Sequence, residues 1–195
     1  MIWYWLLLIF GGFLLGSIMF CQLIPKLLLH VDIYDISDDH NPGTFNVYKH
    51  CGMKLAVPCC LLDGLKGLIP VLLASLLMDV NTVAFSFVMV APILGHALGI
   101  FNRFHGGKCI ATSFGVMLGI IPVSWIGIVV LPTVFILLST VVKINSRNLR
   151  CMVVYILFAV ITCPIVGVLG QIYVAIGCGL ISLFPIVKFA ISKFD

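Results

Sequence analysis

Polar side chains concentrate in one stretch, residues 38–52, of a chain in which 62% of the residues are hydrophobic. Within it, the amides of Asn41 and Asn46 and the ammonium of Lys49 are hydrogen-bond donors of the kind that hold an anion such as phosphate. The proline before Gly43 fixes one backbone angle, and we expect Gly43 to adopt a conformation that a Cβ atom would forbid. So polar a stretch must face water or line a wet site, because buried unpaired polar groups are costly.

A second candidate for anion binding is the short basic loop that ends in Gly106, Gly107 and Lys108. Glycines just before a helix leave backbone N–H groups accessible, and the lysine adds a cation, a combination that suits phosphate. The loop is not a Walker A loop, since the G-x-x-x-x-G-K-[ST] spacing is absent. A plain turn with a positively charged membrane anchor explains the same residues at least as well.

Three ionisable side chains lie inside apolar segments, namely Asp63, Lys66 and His96. Asp63 and Lys66 share one helix face at an i, i+3 spacing, where they belong either to a functional site or to a structural ion pair at the membrane surface. His96 is either a functional residue or simply a donor to a neighbouring carbonyl.

These residues have to be positioned by a membrane-embedded scaffold. Only 9% of the residues are charged, which predicts an all-α integral membrane protein with one compact domain, residues 1–195. The net charge of +4 is explained better by membrane topology than by nucleic-acid binding. The eight cysteines are scattered, so we expect free buried thiols and neither a disulfide framework nor a metal site.

The apolar segments predict about seven transmembrane helices. The stretches 110–142 and 151–187 carry no charge and each have room for two spans, with turns at 121–124 and 170–171. A single span over 110–142 is the alternative. The remaining predicted spans are 2–25, 59–78 and 80–102.

The basic residues test this count. With seven spans, the loops at 26–58, 103–108 and 143–150 and the C-terminus share one side of the membrane, and all eleven lysines and arginines lie on that side or at its edge. The positive-inside rule makes that side cytoplasmic and puts the N-terminus outside. A single span over 110–142 would move the later basic residues to the other face, so the charge asymmetry favours two.

Five short motifs follow one another between residues 14 and 118. They are Leu15-Gly16-Ser17-Ile18, Asn41-Pro42-Gly43-Thr44-Phe45-Asn46-Val47, Asp63-Gly64-Leu65-Lys66-Gly67, Leu94-Gly95-His96 and Phe104-His105-Gly106-Gly107-Lys108-Cys109-Ile110-Ala111-Thr112. In order and approximate spacing they resemble the motifs of the acyl-phosphate-dependent glycerol-3-phosphate acyltransferases, the PlsY family. Five linked motifs are much more specific than any one of them.

The resemblance implies that a fatty acyl group moves from acyl phosphate to the 1-hydroxyl of glycerol 3-phosphate, which gives lysophosphatidic acid and phosphate. It also implies a bacterial cytoplasmic membrane, membrane lipids as surroundings, a cytoplasmic active site, and no CoA or metal cofactor. Acyl phosphate is already activated, so the protein mainly positions two anions and helps to deprotonate an alcohol.

On this resemblance we expect catalytic roles for Asp39, His96 and Lys108. The residues expected to bind substrate lie in or beside the same motifs: Asn41, Gly43, Asn46, Lys49, Lys66, Gly106, Gly107 and Thr112.

Several positions depart from the family's pattern. Asp39 stands where the family has a serine, and its carboxylate repels phosphate but can serve as a base. Phe45 replaces a threonine, Cys109 replaces a glycine, and Lys49 replaces an arginine without its bidentate geometry. The family's polar C-terminal stretch has no counterpart in residues 186–195.

Because these departures fall on the chemistry, a second hypothesis stays open. It is a catalytically impaired family member that binds a lipid or phosphate ligand or a membrane partner. A transporter is a more distant alternative, because the outer half of the predicted spans has almost no ionisable residue to form a polar path.

Overall fold

The structure, a computed structural model, describes residues 2–191, and its regular elements there are all helices. This confirms the predicted all-α membrane class. Residues 192–195, part of the C-terminal stretch compared above, lie outside the described residues. The helices are α1 (Ile2–Ser17), α2 (Phe20–Leu29), α3 (Ile33–Ile36), α4 (Thr44–Cys51), α5 (Met53–Leu77), α6 (Val83–Leu98), α7 (Ile110–Gly119), α8 (Ile126–Ile136), α9 (Arg147–Val168) and α10 (Ile172–Ile191), with a 3-10 turn at Ile100–Asn102 and a π turn at Leu137–Val141.

Four helices in the described part of the chain are long and apolar enough to cross a membrane: α5, α6 with its 3-10 turn, α9 and α10. Helices α1 and α2 form a fifth candidate as a pair bent by 45°. Helices α7 and α8 are apolar but shorter. The multi-pass character is confirmed, whereas seven spans and the orientation of the termini stay predictions.

The predicted turns are confirmed, but the helices of two predicted spans differ from the predicted bounds. Helices α7 and α8 separate at 121–124, and α9 and α10 separate at Gly170, where φ is +79° and glycine is favoured. The first span breaks after Ser17, and α5 begins at Met53 rather than near residue 59. The exposed Lys54 lies in the first turn of α5. The helix therefore begins before the apolar segment from which the span was predicted.

Asp63 and Lys66 consequently lie well inside α5. Lys66 Nζ is 2.7 Å from Asp63 Oδ1, and the two side chains are only 1% and 2% exposed. The same ammonium donates a hydrogen bond of 2.6 Å to the Ile18 carbonyl, in the break between α1 and α2. The pair is therefore internal, and it satisfies a carbonyl at a place where the helix is interrupted.

Small residues allow two helix pairs to pack closely. A Cβ atom on Gly16 of α1 would overlap the Pro92 carbonyl of α6, and one on Gly115 of α7 would overlap the Gly64 carbonyl of α5. By contrast, a Cβ on Gly11 would meet nothing within 4 Å. Close approach of this kind is typical of helices in membranes.

The polar segment between α2 and α5 is anchored through Asp32. Its carboxylate accepts hydrogen bonds from Gln22 at 2.5 Å, from Lys26 at 2.9 Å and, as the N-cap of α3, from the Asp35 N–H. Burial raises the pKa of Asp32, but the hydrogen bonds from Lys26 and Gln22 lower it by more. The start of α3 is thereby held against α2, and residues 37–43 then lead into α4.

Candidate active site

Three charged side chains from distant parts of the chain meet at one point. Lys108 Nζ is 2.5 Å from Asp39 Oδ2, and Arg147 Nη2 is 3.3 Å from Asp39 Oδ1. All three side chains are at least three-quarters shielded from solvent. One carboxylate therefore bridges two cations, and the group keeps a net positive charge.

Asn46 fixes this arrangement from α4. Its Nδ2 donates to Asp39 Oδ1 at 2.8 Å and to the Asn41 carbonyl at 2.7 Å, and its Oδ1 accepts from Arg147 Nη1 at 2.8 Å. Both ends of the buried amide are engaged. The structure thus gives Asn46 the role of holding charged residues in place.

Gly43 adjoins this network as the residue before α4. Its φ of −122° is ordinary extended backbone, so the expectation of a conformation forbidden to other residues is wrong. Space is the reason for a glycine here, because a Cβ atom would lie 2.5 Å from Asn41 Nδ2.

Arg147 reaches the site because α9 begins at this residue. The Ser146 hydroxyl accepts a hydrogen bond from the Leu149 N–H at 3.3 Å, a normal N-cap. The Arg147 guanidinium lies 4.9 Å from the centre of the Phe45 ring. The phenylalanine that replaces the family's threonine therefore supports a cation.

A cavity of about 360 Å³, the first cavity, opens beside these charges. Its lining combines charged side chains, namely Asp39, Asp63, Lys108, Arg147 and Arg150, with aliphatic and aromatic ones. The apolar wall consists of Phe45, Ile110, Ala111, Phe114 and Phe135. The cavity is suited to a ligand with an anionic head and an apolar chain.

A second cavity, also about 360 Å³, lies on the other side of the ion pair. Asp39, Asn41 and Lys108 line both cavities, so the Asp39–Lys108 pair is their common wall. The second cavity adds Lys188 of α10, whose ammonium also donates to the Ala97 carbonyl at 2.8 Å. Its remaining polar lining includes Tyr34, His40, His105 and Asn148.

Gly106 and Gly107 line the second cavity, but their role differs from the expected one. The Gly107 N–H donates to the His96 carbonyl at 3.0 Å and is not free for a phosphate. A Cβ on Gly107 would overlap His96 Nε2, and one on Gly106 would overlap the Ala97 carbonyl. The glycines therefore let the loop lie against the end of α6, while Lys108 supplies the charge.

His96 is buried and lines the first cavity. Its Nδ1 lies 3.2 Å from the Thr112 hydroxyl of α7, so its ring is oriented by a side chain rather than by a carbonyl. Thr112 lines neither cavity and acts through His96. The backbone at Lys108 is fixed in turn by Tyr155, whose hydroxyl donates to the Lys108 carbonyl at 3.2 Å.

Two of the expected substrate ligands lie elsewhere. Lys49 Nζ is 2.7 Å from Asp38 Oδ2, with the two side chains 45% and 68% exposed, and Lys49 lines neither cavity. Lys66 is enclosed with Asp63 and the Ile18 carbonyl, as described above. Neither lysine lines a cavity, although Asp63, the partner of Lys66, lines the first one.

The pKa values of the two aspartates in the polar loop are lowered. Burial raises the pKa of Asp39, but hydrogen bonds from Lys108 and Asn46 and the nearby positive charges lower it by more. The pKa of the exposed Asp38 is lowered mainly by its hydrogen bond from Lys49. Asp39 is therefore ionised at neutral pH.

The sequence reading missed Arg147, Arg150 and Lys188 as site residues. Both arginines lie in the loop at 143–150, whose positive charge the positive-inside rule already explains. Lys188 directly follows the last uncharged stretch and is assigned to its cytoplasmic end. One signal was available: Arg147 and Arg150 fall in the first turn of a helix, where the macrodipole disfavours cations.

The fold and the site together define a multi-pass helical membrane protein with an internal cluster of charges beside an apolar cavity. The family model for glycerol-3-phosphate acyltransferase matches residues 6–191, and the chain belongs to this family. The resemblance stated from the motifs, and with it the acyltransferase class, is confirmed.

Relatives and solved structures agree. The glycerol-3-phosphate acyltransferase of Lactococcus lactis subsp. lactis is 28% identical over 190 residues, 97% of this chain and 77% of the relative. That of Maridesulfovibrio salexigens is 34% identical over 142 residues, 73% and 72% of the two chains.

The fold matches crystal structures of an integral membrane glycerol 3-phosphate acyltransferase. Its glycerol 3-phosphate form gives a TM-score of 0.80 at 28% identity, covering 97% of this chain and 90% of that one. Its lysophosphatidic acid form gives 0.76 at 27% identity with the same coverage.

Proposed function

We propose that this protein transfers a fatty acyl group from acyl phosphate to glycerol 3-phosphate, giving lysophosphatidic acid and phosphate. The observation that carries the proposal is that the first cavity is lined both by cations, among them Lys108 and Arg147, and by the apolar wall. Acyl phosphate likewise combines an anionic head group with an apolar chain. The more polar second cavity gives the small acceptor access to the Asp39–Lys108 pair from the other side.

The chemistry follows from these positions. The acceptor's hydroxyl oxygen forms a bond to the acyl carbonyl carbon, and the bond from that carbon to the phosphate oxygen breaks. Lys108 stabilises the charge that grows on the departing phosphate. Asp39 accepts a hydrogen bond from the hydroxyl and orients it. Because its pKa is lowered, it is a weaker base than the departing phosphate, which takes the proton of the hydroxyl.

The other residues of the site position these groups. Asn46 holds Asp39 and Arg147, and His96 is held by Thr112 at the wall of the first cavity. The remaining members of the predicted site that line a cavity are Asn41, Gly43, Gly106 and Gly107. The donor is already activated, so this scheme requires neither CoA nor a metal ion.

The proposed location is the bacterial cytoplasmic membrane, with the site on the cytoplasmic side and residues 1–195 acting as one domain among membrane lipids. The multi-pass helical fold and the one-sided distribution of lysines and arginines expected from the sequence support this location.

The test is acyl transfer by the purified protein in lipid, with acyl phosphate as donor and labelled glycerol 3-phosphate as acceptor. Lys108→Ala should abolish product formation, and Lys54→Ala, a change at an exposed lysine of α5, should not. Product from the wild type that is indifferent to Lys108→Ala would contradict the proposed site.

Asp39→Ser distinguishes the remaining alternative. Asp39 holds both cations in the described structure, which is the one observation that favours a catalytically impaired protein. A silent wild type and an active Asp39→Ser variant would establish that alternative. If no variant forms product, acyl transfer between these two substrates is rejected.

A further inference from the structure

Arg147 and Arg150 form a pair of cations at the start of α9, at an i, i+3 spacing, and both line the first cavity. Cations in a first helical turn face the positive end of the helix dipole, so this placement is unfavourable unless an anion lies nearby. Arg150 Nε is buried and has no hydrogen-bond partner among the residues the structure describes. Asp39 reaches Arg147, but no contact between Asp39 and Arg150 is seen.

We propose that Arg147, with Arg150 beside it, binds the phosphate of the acyl phosphate donor and not that of the acceptor. This inference rests on the proposed function. The apolar wall of the first cavity decides between the two substrates, because only the donor carries a long chain. A donor whose chain packs against Phe114 and Phe135 has its head group in the same cavity, which both arginines line.

The contacts of Arg147 leave it able to take up a phosphate. Nη1 is held by Asn46 at 2.8 Å, whereas the contact from Nη2 to Asp39 is longer, at 3.3 Å. A phosphate oxygen can replace the Asp39 carboxylate at Nη2 while Asn46 and the Phe45 ring keep the guanidinium in place. Lys49, expected from its motif position to bind an anion, is held at the surface by Asp38.

The experiment separates the KM values of the two substrates. Wild type, Arg147→Gln and Arg147→Lys are compared, with Arg103→Gln as the control, because Arg103 is exposed and lines neither cavity. In Arg147→Gln we expect the KM for acyl phosphate to rise roughly tenfold to a hundredfold, the usual loss for a charge-assisted hydrogen bond, with the KM for glycerol 3-phosphate within about twofold. The KM of Arg147→Lys for acyl phosphate should lie between those of the wild type and Arg147→Gln, because lysine keeps the charge but lacks the bidentate geometry.

An equal rise in both KM values, or no rise for acyl phosphate in a folded Arg147→Gln protein, would overturn the inference. Binding of dodecylphosphonate, measured by calorimetry, provides a readout that needs no turnover. If the wild type forms no lysophosphatidic acid yet binds dodecylphosphonate in a way that depends on Arg147, the proposed reaction fails and the anion site stands. If Arg147→Gln binds dodecylphosphonate as the wild type does, the anion site fails as well.

Discussion

Asp39 and Lys108 are separated by 69 positions in the sequence, and in the structure their side chains form a 2.5 Å ion pair that divides two cavities. The same carboxylate reaches Arg147, so two of the cations that line the cavities are already paired with an internal anion. A phosphate that enters must compete with a tethered carboxylate for the same donors.

Removing that carboxylate should strengthen phosphate binding. We expect Asp39→Asn to lower the concentration of inorganic phosphate that inhibits acyl transfer by roughly tenfold, because Lys108 and Arg147 lose their internal partner. The measurement is product inhibition by phosphate at fixed substrate concentrations. Asp35→Asn, on the exposed side of α3, is the matched control, and equal phosphate inhibition in the two variants would show that Asp39 does not compete.

Asp39 should also affect stability as a function of pH. Its pKa is lowered below the ordinary value of 3.8, so its ion pair contributes fully above that pH and the contribution is lost as pH falls through the folded-state pKa. We therefore expect the Tm of the wild type in detergent to exceed that of Asp39→Asn at neutral pH. The difference should shrink below about pH 4. A Tm difference that is constant down to pH 2 would contradict an ionised pair.

The predicted role of Lys49 as a substrate ligand can be tested by mutation. Its ammonium lies in an exposed ion pair with Asp38, and such pairs contribute little because solvent screens them. We expect Lys49→Ala to change kcat/KM by less than about threefold, whereas Lys108→Ala should reduce it by a hundredfold or more, an approximate loss for a transition-state donor. A loss in Lys49→Ala as large as that in Lys108→Ala would restore Lys49 to the site.

The buried pair in α5 should be sensitive to removal of one partner. Lys66→Met leaves the Asp63 carboxylate and the Ile18 carbonyl without their cation, and we expect a cost of about 3–5 kcal/mol in the free energy of unfolding. Adding Asp63→Asn should recover part of this loss. The stabilities of Lys66→Met and of the double variant are compared through Tm in detergent, with Lys54→Met as a solvent-exposed control. If the effects of the two substitutions are additive, the two side chains do not interact as a pair.

Gly107 should not tolerate a side chain. In Gly107→Ala the new Cβ would overlap His96 Nε2, so we expect destabilisation of about 1–3 kcal/mol and loss of acyl transfer. Gly167→Ala in α9 is the control, since a Cβ there meets nothing within 4 Å. If Gly107→Ala behaves like Gly167→Ala, the close contact between the loop and His96 is not required.

The sequence carried the class of the protein and most of the residues around its site, and the reasons are physical. The scarcity of charged residues indicates a membrane protein. The motifs that contain Asn41, Gly107 and Lys108 are recognisable because each is a short local segment of the chain. The motifs did not contain Arg147, because its role depends on α9 approaching α4, a contact between positions 101 residues apart. Nor did spacing show that Lys49 would turn outward to Asp38.

The hydrogen bond from Lys66 to the Ile18 carbonyl has a consequence for how this sequence can vary. The bend between α1 and α2 leaves a polar backbone group inside the bundle, and a side chain on another helix neutralises it. Loss of the lysine would favour a straight first helix, and a straight first helix would remove a partner of the lysine. We therefore expect substitutions that straighten the bend between α1 and α2 to occur together with substitutions of Lys66.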